Sequence, residues 1–163
     1  MGSGISTKYQ IDSSYGTYYV SEKESEYGSK VERVFDEDFL NDFCNEKIKQ
    51  KPIEGSSIES NYQRVKDKYP LRTGGNLGDK TKETGRNEFH CDNPMQEAMK
   101  LYSELSYGGE TQYTQNLHGI MSKMSDGTIL FRPYTSTAGS PAVEIKIFGT
   151  TILRSQKIHF LMK

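Results

Sequence analysis

Residues 122–149 run SKMSDGTILFRPYTSTAGSPAVEIKIFG, and this stretch decides the predicted fold. Two segments within it, 128–135 and 142–148, alternate apolar and polar residues with the period of two that is typical of half-buried strands. Asp-Gly at 126–127 is a hairpin signal before the first segment, and Gly-Ser-Pro at 139–141 separates the two. Short connections between successive strands predict an antiparallel arrangement.

The same alternation continues on both sides, near residues 115–123 and 156–162. The C-terminal third therefore predicts a four-stranded antiparallel sheet. In each strand, the alternate residues on one face are apolar, such as Val143, Ile145 and Ile147, and this face can pack against the helices.

Upstream of the sheet, apolar residues recur at the spacing of amphipathic helices. This spacing predicts three helices, over residues 31–50, over 57–69, and from the start signal Asn93-Pro94 to the stop signal Gly108-Gly109. The polar stretch 70–92 between the last two predicts a long loop. The fold class is therefore α+β, with N-terminal helices packed on the four-stranded sheet. We expect residues 1–30 to form a loosely ordered acidic lead segment and 31–163 to form a single domain.

Composition excludes several classes of protein. The chain has 163 residues with only 33% hydrophobic, and no apolar run approaches the ~18 residues of a transmembrane helix. Its first residues have no secretory leader pattern, and we expect the chain to be part of a larger protein. Two cysteines, Cys44 and Cys91, are too few for a disulfide scaffold, and each is expected to be a structural thiol. Sequence motifs of kinases, dehydrogenases, zinc proteases and α/β-hydrolases do not occur.

Charge is distributed unevenly along the chain. The formal net charge of −1 combines −5 in residues 1–60, +1 in 61–109 and +3 in 110–163. The strands of the predicted sheet are therefore the basic part of the chain. A local positive charge is compatible with a phosphate-bearing substrate even where the average is neutral.

The polar rows of the four strands are expected to share one face of the sheet. They contain His118, Arg132, Tyr134, Glu144, Lys146, Lys157 and His159. The simplest interpretation is a solvated sheet face. Phosphodiester cleavage, however, needs a base, an acid and cations beside the phosphate, and histidine, arginine and lysine supply them. The adjoining loop adds hydroxyls that can hold a phosphate, at Thr135, Ser136 and Thr137.

A second interpretation of the same sheet is a metal site. Glu144-Ile145-Lys146 is an ExK sequence, and Asp126 precedes it by 18 residues. Some metal-dependent nucleases use two acids to hold Mg²⁺ and a lysine to polarise the phosphate. The competing explanation for Asp126 is its place in the Asp-Gly turn.

The C-terminal part of the chain resembles the effector domains of bacterial polymorphic toxins, of the LXG and contact-dependent inhibition types. The resemblance covers roughly residues 60–163 and is carried by four segments: PLRTGGNLGDK, DNPMQEAMKLYSELSYGG, SKMSDGTILFRPYTSTAGSPAVEIKIFG and RSQKIHFLMK. Many such domains resemble the barnase, EndoU, colicin and RelE group of ribonucleases. The resemblance implies active residues on the sheet face, and it carries over to Arg132, Ser136, Lys157 and His159.

The expected function is therefore a metal-independent endoribonuclease toxin with RNA as substrate, and tRNA is the candidate RNA. His159 and His118 would exchange protons, Arg132, Lys157 and Lys146 would neutralise phosphate, and Tyr134 would stack a base. No cofactor is expected. The resemblance also implies secretion as the C-terminal part of a larger toxin, action in the cytoplasm of a competing bacterium, and neutralisation by a cognate immunity protein. The alternatives are a metal-dependent DNase using Asp126 and Glu144, and a non-catalytic protein-binding module.

Overall fold

The structure is a computed structural model that describes residues 6–13, 16–23, 34–35, 37–115, 119–135, 140–149 and 152–163. Its helices are α1 (Glu37–Lys49), α2 (Ile58–Val65) and α3 (Pro94–Leu105). Its strands are β1 (Ser6–Ser13), β2 (Gly16–Lys23), β3 (Val34–Phe35), β4 (Asp79–Lys80), β5 (Arg86–Cys91), β6 (Glu110–Tyr113), β7 (Ile120–Met124), β8 (Gly127–Arg132), β9 (Ala142–Ile147) and β10 (Gln156–Met162). The α+β class predicted from the sequence is confirmed.

The three predicted helices are present, and their ends follow from local chemistry. Helix α2 begins after Ser57, whose Oγ accepts a hydrogen bond from the backbone N–H of Ser60 at 3.0 Å. Helix α3 begins at Pro94, as the start signal predicts, because proline suits the first helical position. Helix α1 begins later than predicted, since Val34 and Phe35 pair with β2 as the short strand β3.

The main sheet has seven strands where the sequence predicts four. Its order is β4-β5-β10-β9-β8-β7-β6, and all neighbours are antiparallel except β5 and β10, which are parallel. The predicted loop 70–92 contains the two additional strands at one edge, β4 and β5. The strand predicted near 115–123 corresponds to β7, with β6 before it at the other edge.

The helices cover one side of the main sheet. Apolar side chains from both form one buried core, in which Phe43, Tyr102 and Phe131 are in edge or tilted ring contact. The predicted apolar row of β9 is confirmed, because Val143 and Ile145 are buried in this core. Cys44 and Cys91 are buried thiols that form no disulfide, and burial raises the pKa of each to about 11.

The N-terminal segment forms a separate three-stranded sheet, β1-β2-β3. Strand β1 lies against α3 and β2 lies against α1. The expected loosely ordered lead therefore contains a hairpin that packs on the helix side of the molecule. None of the helices in the described part of the chain has the length and apolar composition that a membrane span requires.

The opposite side of the main sheet is here called the polar face. It is formed by alternate residues of β5, β10, β9, β8, β7 and β6: Arg86, Glu88 and His90; Lys157, His159 and Leu161; Ala142, Glu144 and Lys146; Thr128, Leu130 and Arg132; Met121 and Lys123; Glu110 and Gln112. The predicted partition of apolar and polar rows between two faces is confirmed for β8, β9 and β10. In β7 the prediction is wrong, because Ile120 and Ser122, which belong to the row predicted to contain His118, are buried on the helix side.

Candidate active site on the polar face

Strand register places His159 at the centre of a row of side chains that crosses the polar face. His159 on β10 pairs with Ala142 on β9 and with Glu88 on β5. Ala142 in turn pairs with Arg132 on β8, and Glu88 pairs with Asp79 on β4. Side chains that are partners in register lie side by side on the same face. The imidazole therefore has a carboxylate on one side, and on the other a small alanine with an arginine beyond it.

A second row, one step along the strands, adds two cations. Lys157 precedes His159 by two residues on β10 and pairs with Arg86 on β5 and with Glu144 on β9. The polar face therefore concentrates Arg86, Arg132 and Lys157 around one histidine. Their positive charges are partly compensated by Glu88 and Glu144.

His159 is deeply buried for a polar side chain, with 2% of its surface exposed. Burial is the main cause that lowers its pKa, to about 4, and the positive charges of Arg86, Lys157 and Arg132 lower it further, while Glu88 acts in the opposite direction. The imidazole is consequently neutral at pH 7. A neutral imidazole can accept a proton. Because three cations surround it, the protonated form is stable only when a negative charge lies nearby.

Two hydroxyl groups hold the Nδ1 side of the ring. The Ser140 Oγ lies 3.2 Å from Nδ1 of His159, and the Thr135 Oγ1 lies 3.4 Å from it. Thr135 also donates its hydroxyl hydrogen to the backbone carbonyl of Ser140, at 2.8 Å. A histidine that is held at Nδ1 exchanges protons through its other ring nitrogen, Nε2.

Glu88 is held by its neighbours on the same strand. One carboxylate oxygen lies 3.9 Å from Nη2 of Arg86, and the other lies 3.9 Å from Nε2 of His90. Its side chain is 29% exposed, so it is accessible from solvent. Arg86 reaches beyond this pair to Glu83, at 3.1 Å. The three alternate residues of β5 thus form a chain of charged and polar groups next to His159.

The structure brings together the main residues that the sequence singles out. Arg132, Lys157 and His159 lie on the polar face as predicted. Thr135 is in contact with His159, through its hydroxyl group. Tyr134 is 50% exposed and follows Arg132 by two residues. Lys146 is further along β9, with its Nζ 3.8 Å from Glu144 Oε1. His118, Ser136 and Thr137 lie outside the described residues, and their roles stay predictions.

Asp126 is placed differently from the metal-site interpretation. Its Oδ1 accepts the backbone N–H of Ile58 at 2.7 Å, and its Oδ2 accepts that of Glu59 at 3.1 Å. The carboxylate therefore caps the N-terminus of α2, where backbone donors and the helix dipole favour a negative charge. It points to the helix side of the sheet, whereas Glu144 is on the polar face. The structure does not bring this predicted pair together, and in the described ranges no three His, Cys, Asp or Glu side chains are grouped as a metal site.

Arg86 and Glu88 are absent from the site predicted from the sequence, because the polar stretch 70–92 predicts a loop. A signal was present in the hexapeptide RNEFHC of residues 86–91, where charged residues alternate with Asn87, Phe89 and Cys91. Asn87 and Cys91 are buried on the helix side, so the alternation is that of a strand. The sequence indicates Ser140 only as part of the Gly-Ser-Pro separator at 139–141, not as a partner of His159.

The site is a side-chain cluster on a sheet face rather than a deep pocket. A cavity of about 70 Å³ lies on the helix side, between β5, β10, α3 and the segment that follows α2. This volume is well below the roughly 300 Å³ at which pockets begin to hold drug-sized ligands. The cavity is therefore too small to be the site of a large substrate.

Comparisons of the chain with protein-family models, with curated proteins and with solved structures find no match. The resemblance to polymorphic toxin domains therefore stays a prediction from the sequence.

Proposed function

We propose that the protein is an endoribonuclease that cleaves RNA on the polar face without a metal ion. The observation that carries this proposal is the position of His159, between Glu88 and Ala142 in register and among the cations Arg86, Arg132 and Lys157. These groups supply proton exchange and charge stabilisation, which are the requirements of phosphodiester cleavage.

The proposed reaction is a transfer of the phosphate within one nucleotide. A base removes the proton of a ribose 2′-OH, and the 2′ oxygen forms a bond to the adjacent phosphorus. The bond from phosphorus to the 5′ oxygen of the next nucleotide breaks, and an acid gives that oxygen a proton. The products are a 2′,3′-cyclic phosphate and a 5′-OH. His159 and Glu88 are the proton-exchanging pair among the described residues, and His118 stays the additional candidate.

The remaining residues have supporting roles in this proposal. Arg86, Arg132 and Lys157 balance the negative charge that grows on the phosphate oxygens. Tyr134, which is half-exposed beside Arg132, stacks on a base of the single strand. Thr135, expected from sequence to bind substrate, is assigned to hold His159 because it lies 3.4 Å from Nδ1. Ser136, Thr137 and Lys146 keep their predicted phosphate-binding role.

The direct experiment incubates the purified protein with total RNA in EDTA and follows the fragments by gel electrophoresis. We expect cleavage that leaves cyclic phosphate ends and that His159→Gln abolishes. Lys123→Gln is the matched control, because Lys123 is exposed on the same face but belongs to β7, away from His159. Intact RNA under all conditions would contradict the proposal.

The same assay separates the two alternatives. Cleavage of DNA only in the presence of Mg²⁺ would favour the metal-dependent nuclease, although Asp126 is engaged as a helix cap. A non-catalytic binding module would leave both nucleic acids intact.

The biological setting is a second part of the proposal, and its support is the sequence resemblance. The domain would be delivered as the C-terminal part of a larger secreted toxin, act in the cytoplasm of a competing bacterium, and be neutralised by a cognate immunity protein. Induction of the domain inside a bacterium should stop growth, and His159→Gln should relieve the arrest. A neighbouring gene whose product binds the domain and restores growth would identify the immunity protein.

A further inference from the structure

The charged groups around His159 can be described strand by strand. On its own strand, β10, the nearest charge is Lys157, and across β9 the charges are Glu144 and, beyond Ala142, Arg132 of β8. On the other side, β5 contributes Arg86, Glu88 and His90, and β4 contributes Asp79. The segment between β8 and β9 adds two neutral hydroxyls, those of Thr135 and Ser140.

The electrostatic effects of these charged groups on the imidazole do not cancel. Arg86, Lys157 and Arg132 each disfavour a positive charge there, and Glu88 compensates less than any of them. Glu144 lies 3.8 Å from a second cation, Lys146, and Asp79 lies 3.5 Å from Arg72. Arg86 is itself paired with Glu83 at 3.1 Å, so within the described ranges Lys157 and Arg132 are the two of these three cations that have no ion pair. The result is a local excess of positive charge on a face whose cations are partly accessible; the Arg86 side chain is 25% exposed. Such an excess attracts an anion.

We propose that Arg86, Arg132 and Lys157 form a binding site for one tetrahedral phosphate oxyanion, and that filling this site makes His159 take up a proton. The proposal deepens the proposed function, on which it rests for the identity of the phosphate as part of RNA. The site itself is testable with a simple anion and without any cleavage.

The coupling follows from electrostatics and linkage. An anion between the three cations offsets the field that they exert on the imidazole, so the charged form of His159 becomes less unfavourable. By reciprocity, the protonated protein binds the anion more tightly by the same factor. A rise of two units in the pKa of His159 makes the anion bind about tenfold more tightly at pH 5 than at pH 7.5.

This coupling assigns a sequence of events to the site. The resting protein keeps His159 neutral, and binding of the substrate phosphate makes the imidazole take up a proton from the solvent. The protonated Nε2 then gives this proton to the leaving 5′ oxygen as the bond to phosphorus breaks. The acid is therefore formed only where a phosphate is already in place.

The test is an NMR titration of the His159 imidazole between pH 3.5 and 8, in sodium sulfate and in sodium chloride of equal ionic strength. Sulfate is a suitable probe because it is tetrahedral and keeps its charge through this range. We expect the midpoint of His159 to lie near 4 in chloride and to rise by at least one unit in saturating sulfate. Equal midpoints in the two salts would overturn the proposal.

Variants identify the cations responsible. Arg86→Gln and Lys157→Gln should each raise the midpoint in chloride, because a repelling charge is lost, and should reduce the additional rise caused by sulfate. Lys123→Gln on the same face should change neither value. A full sulfate response in Arg86→Gln and Lys157→Gln would overturn the assignment of the site. Circular dichroism at each pH verifies that the compared proteins are folded.

The outcome separates this proposal from the proposed function. A sulfate response in a protein that leaves all RNA intact would support the oxyanion site and contradict the proposed ribonuclease activity. RNA cleavage without a sulfate response would support the ribonuclease activity and contradict the proposed coupling between anion binding and protonation of His159.

Discussion

Glu88 and His159 are register partners on the parallel strands β5 and β10, and both side chains lie on the polar face. The carboxylate and the imidazole are separated by 70 residues of sequence, and the parallel pairing of the two strands brings them together. Neighbouring strands are about 4.8 Å apart, so both groups can contact one substrate atom or two adjacent ones. This pair is the basis of the first prediction.

Glu88→Gln should lower kcat for RNA cleavage by about 10²- to 10⁴-fold, the usual contribution of a proton-transferring group. KM should change little, because glutamine has the same shape and the cations still bind the phosphate. Steady-state cleavage of a labelled RNA oligonucleotide measures both constants. Glu110→Gln is the matched control, since Glu110 is an exposed carboxylate on β6, at the far edge of the same sheet. Equal activity of the two variants would contradict a role for Glu88 in proton transfer.

Acid should destabilise the protein partly through His159. The pKa of this group is lowered in the folded state, from 6.5 to about 4, so the unfolded chain binds the proton more readily. Stability from this source is present above pH 6.5 and is lost as the pH falls toward 4. Between pH 7 and pH 4.5 the loss amounts to about 2–3 kcal/mol.

Urea unfolding of the wild type and of His159→Gln at these two pH values tests the prediction. The variant has no titrating group at this position, so its free energy of unfolding should fall less on acidification than that of the wild type. Parallel declines in the two proteins would show that the imidazole is not buried as the structure describes.

Ser140 should act through His159 and not through the substrate. The Ser140 hydroxyl lies 3.2 Å from Nδ1, and Ser140 is itself buried. Ser140→Ala should lower kcat about tenfold with an unchanged KM, because a poorly held imidazole spends less time in the reactive geometry. Ser140→Thr keeps the hydroxyl and should restore part of the loss.

An NMR readout distinguishes positioning from a general structural effect at Ser140. The ¹⁵N chemical shifts of the two ring nitrogens of His159 report which nitrogen carries the hydrogen. Ser140→Ala should change these shifts because it changes the ratio of the two tautomers. Unchanged ring shifts together with a lowered kcat would contradict the positioning role.

The sequence predicts much of this site because its residues lie on strands with a regular alternation. In β8 and β10, a period of two separates Arg132, Lys157 and His159 from the apolar core residues, and the register confirms that these three residues lie on the face opposite the core. The sequence does not reveal that His159 is itself buried on that face. Helix signals likewise locate α2 and α3. Local patterns of this kind need no knowledge of the rest of the chain.

What the sequence does not reveal is the contribution of β5. This strand has little apolar surface, and its place in the sheet depends on parallel pairing with β10 at the other end of the chain. The alternation in residues 86–91 indicates a strand but not its partner, so the polar stretch 70–92 predicts a loop and leaves Glu88 and Arg86 outside the predicted site. The sequence predicts the Asp-Gly turn but not the contacts of the Asp126 carboxylate, because α2 meets this turn only in the folded molecule.

Asp126 should matter for stability and not for catalysis. Its two carboxylate oxygens accept the backbone N–H groups of Ile58 and Glu59, which have no partner within the first turn of a helix. Asp126→Ala should therefore lower the free energy of unfolding by about 1–2 kcal/mol, as the loss of a helix cap does. Asp126→Asn retains one oxygen acceptor but loses the negative charge at the helix N-terminus, so its loss should be smaller.

Urea unfolding measures these differences, and RNA cleavage at a temperature where all three proteins are folded measures kcat. The cap predicts a graded loss of stability with kcat unchanged. A metal site predicts the reverse, because removal of a ligand carboxylate abolishes metal-dependent cleavage whether or not the helix is weakened. Loss of Mg²⁺-dependent cleavage in Asp126→Ala with wild-type stability would therefore restore the metal-dependent interpretation and contradict the capping role.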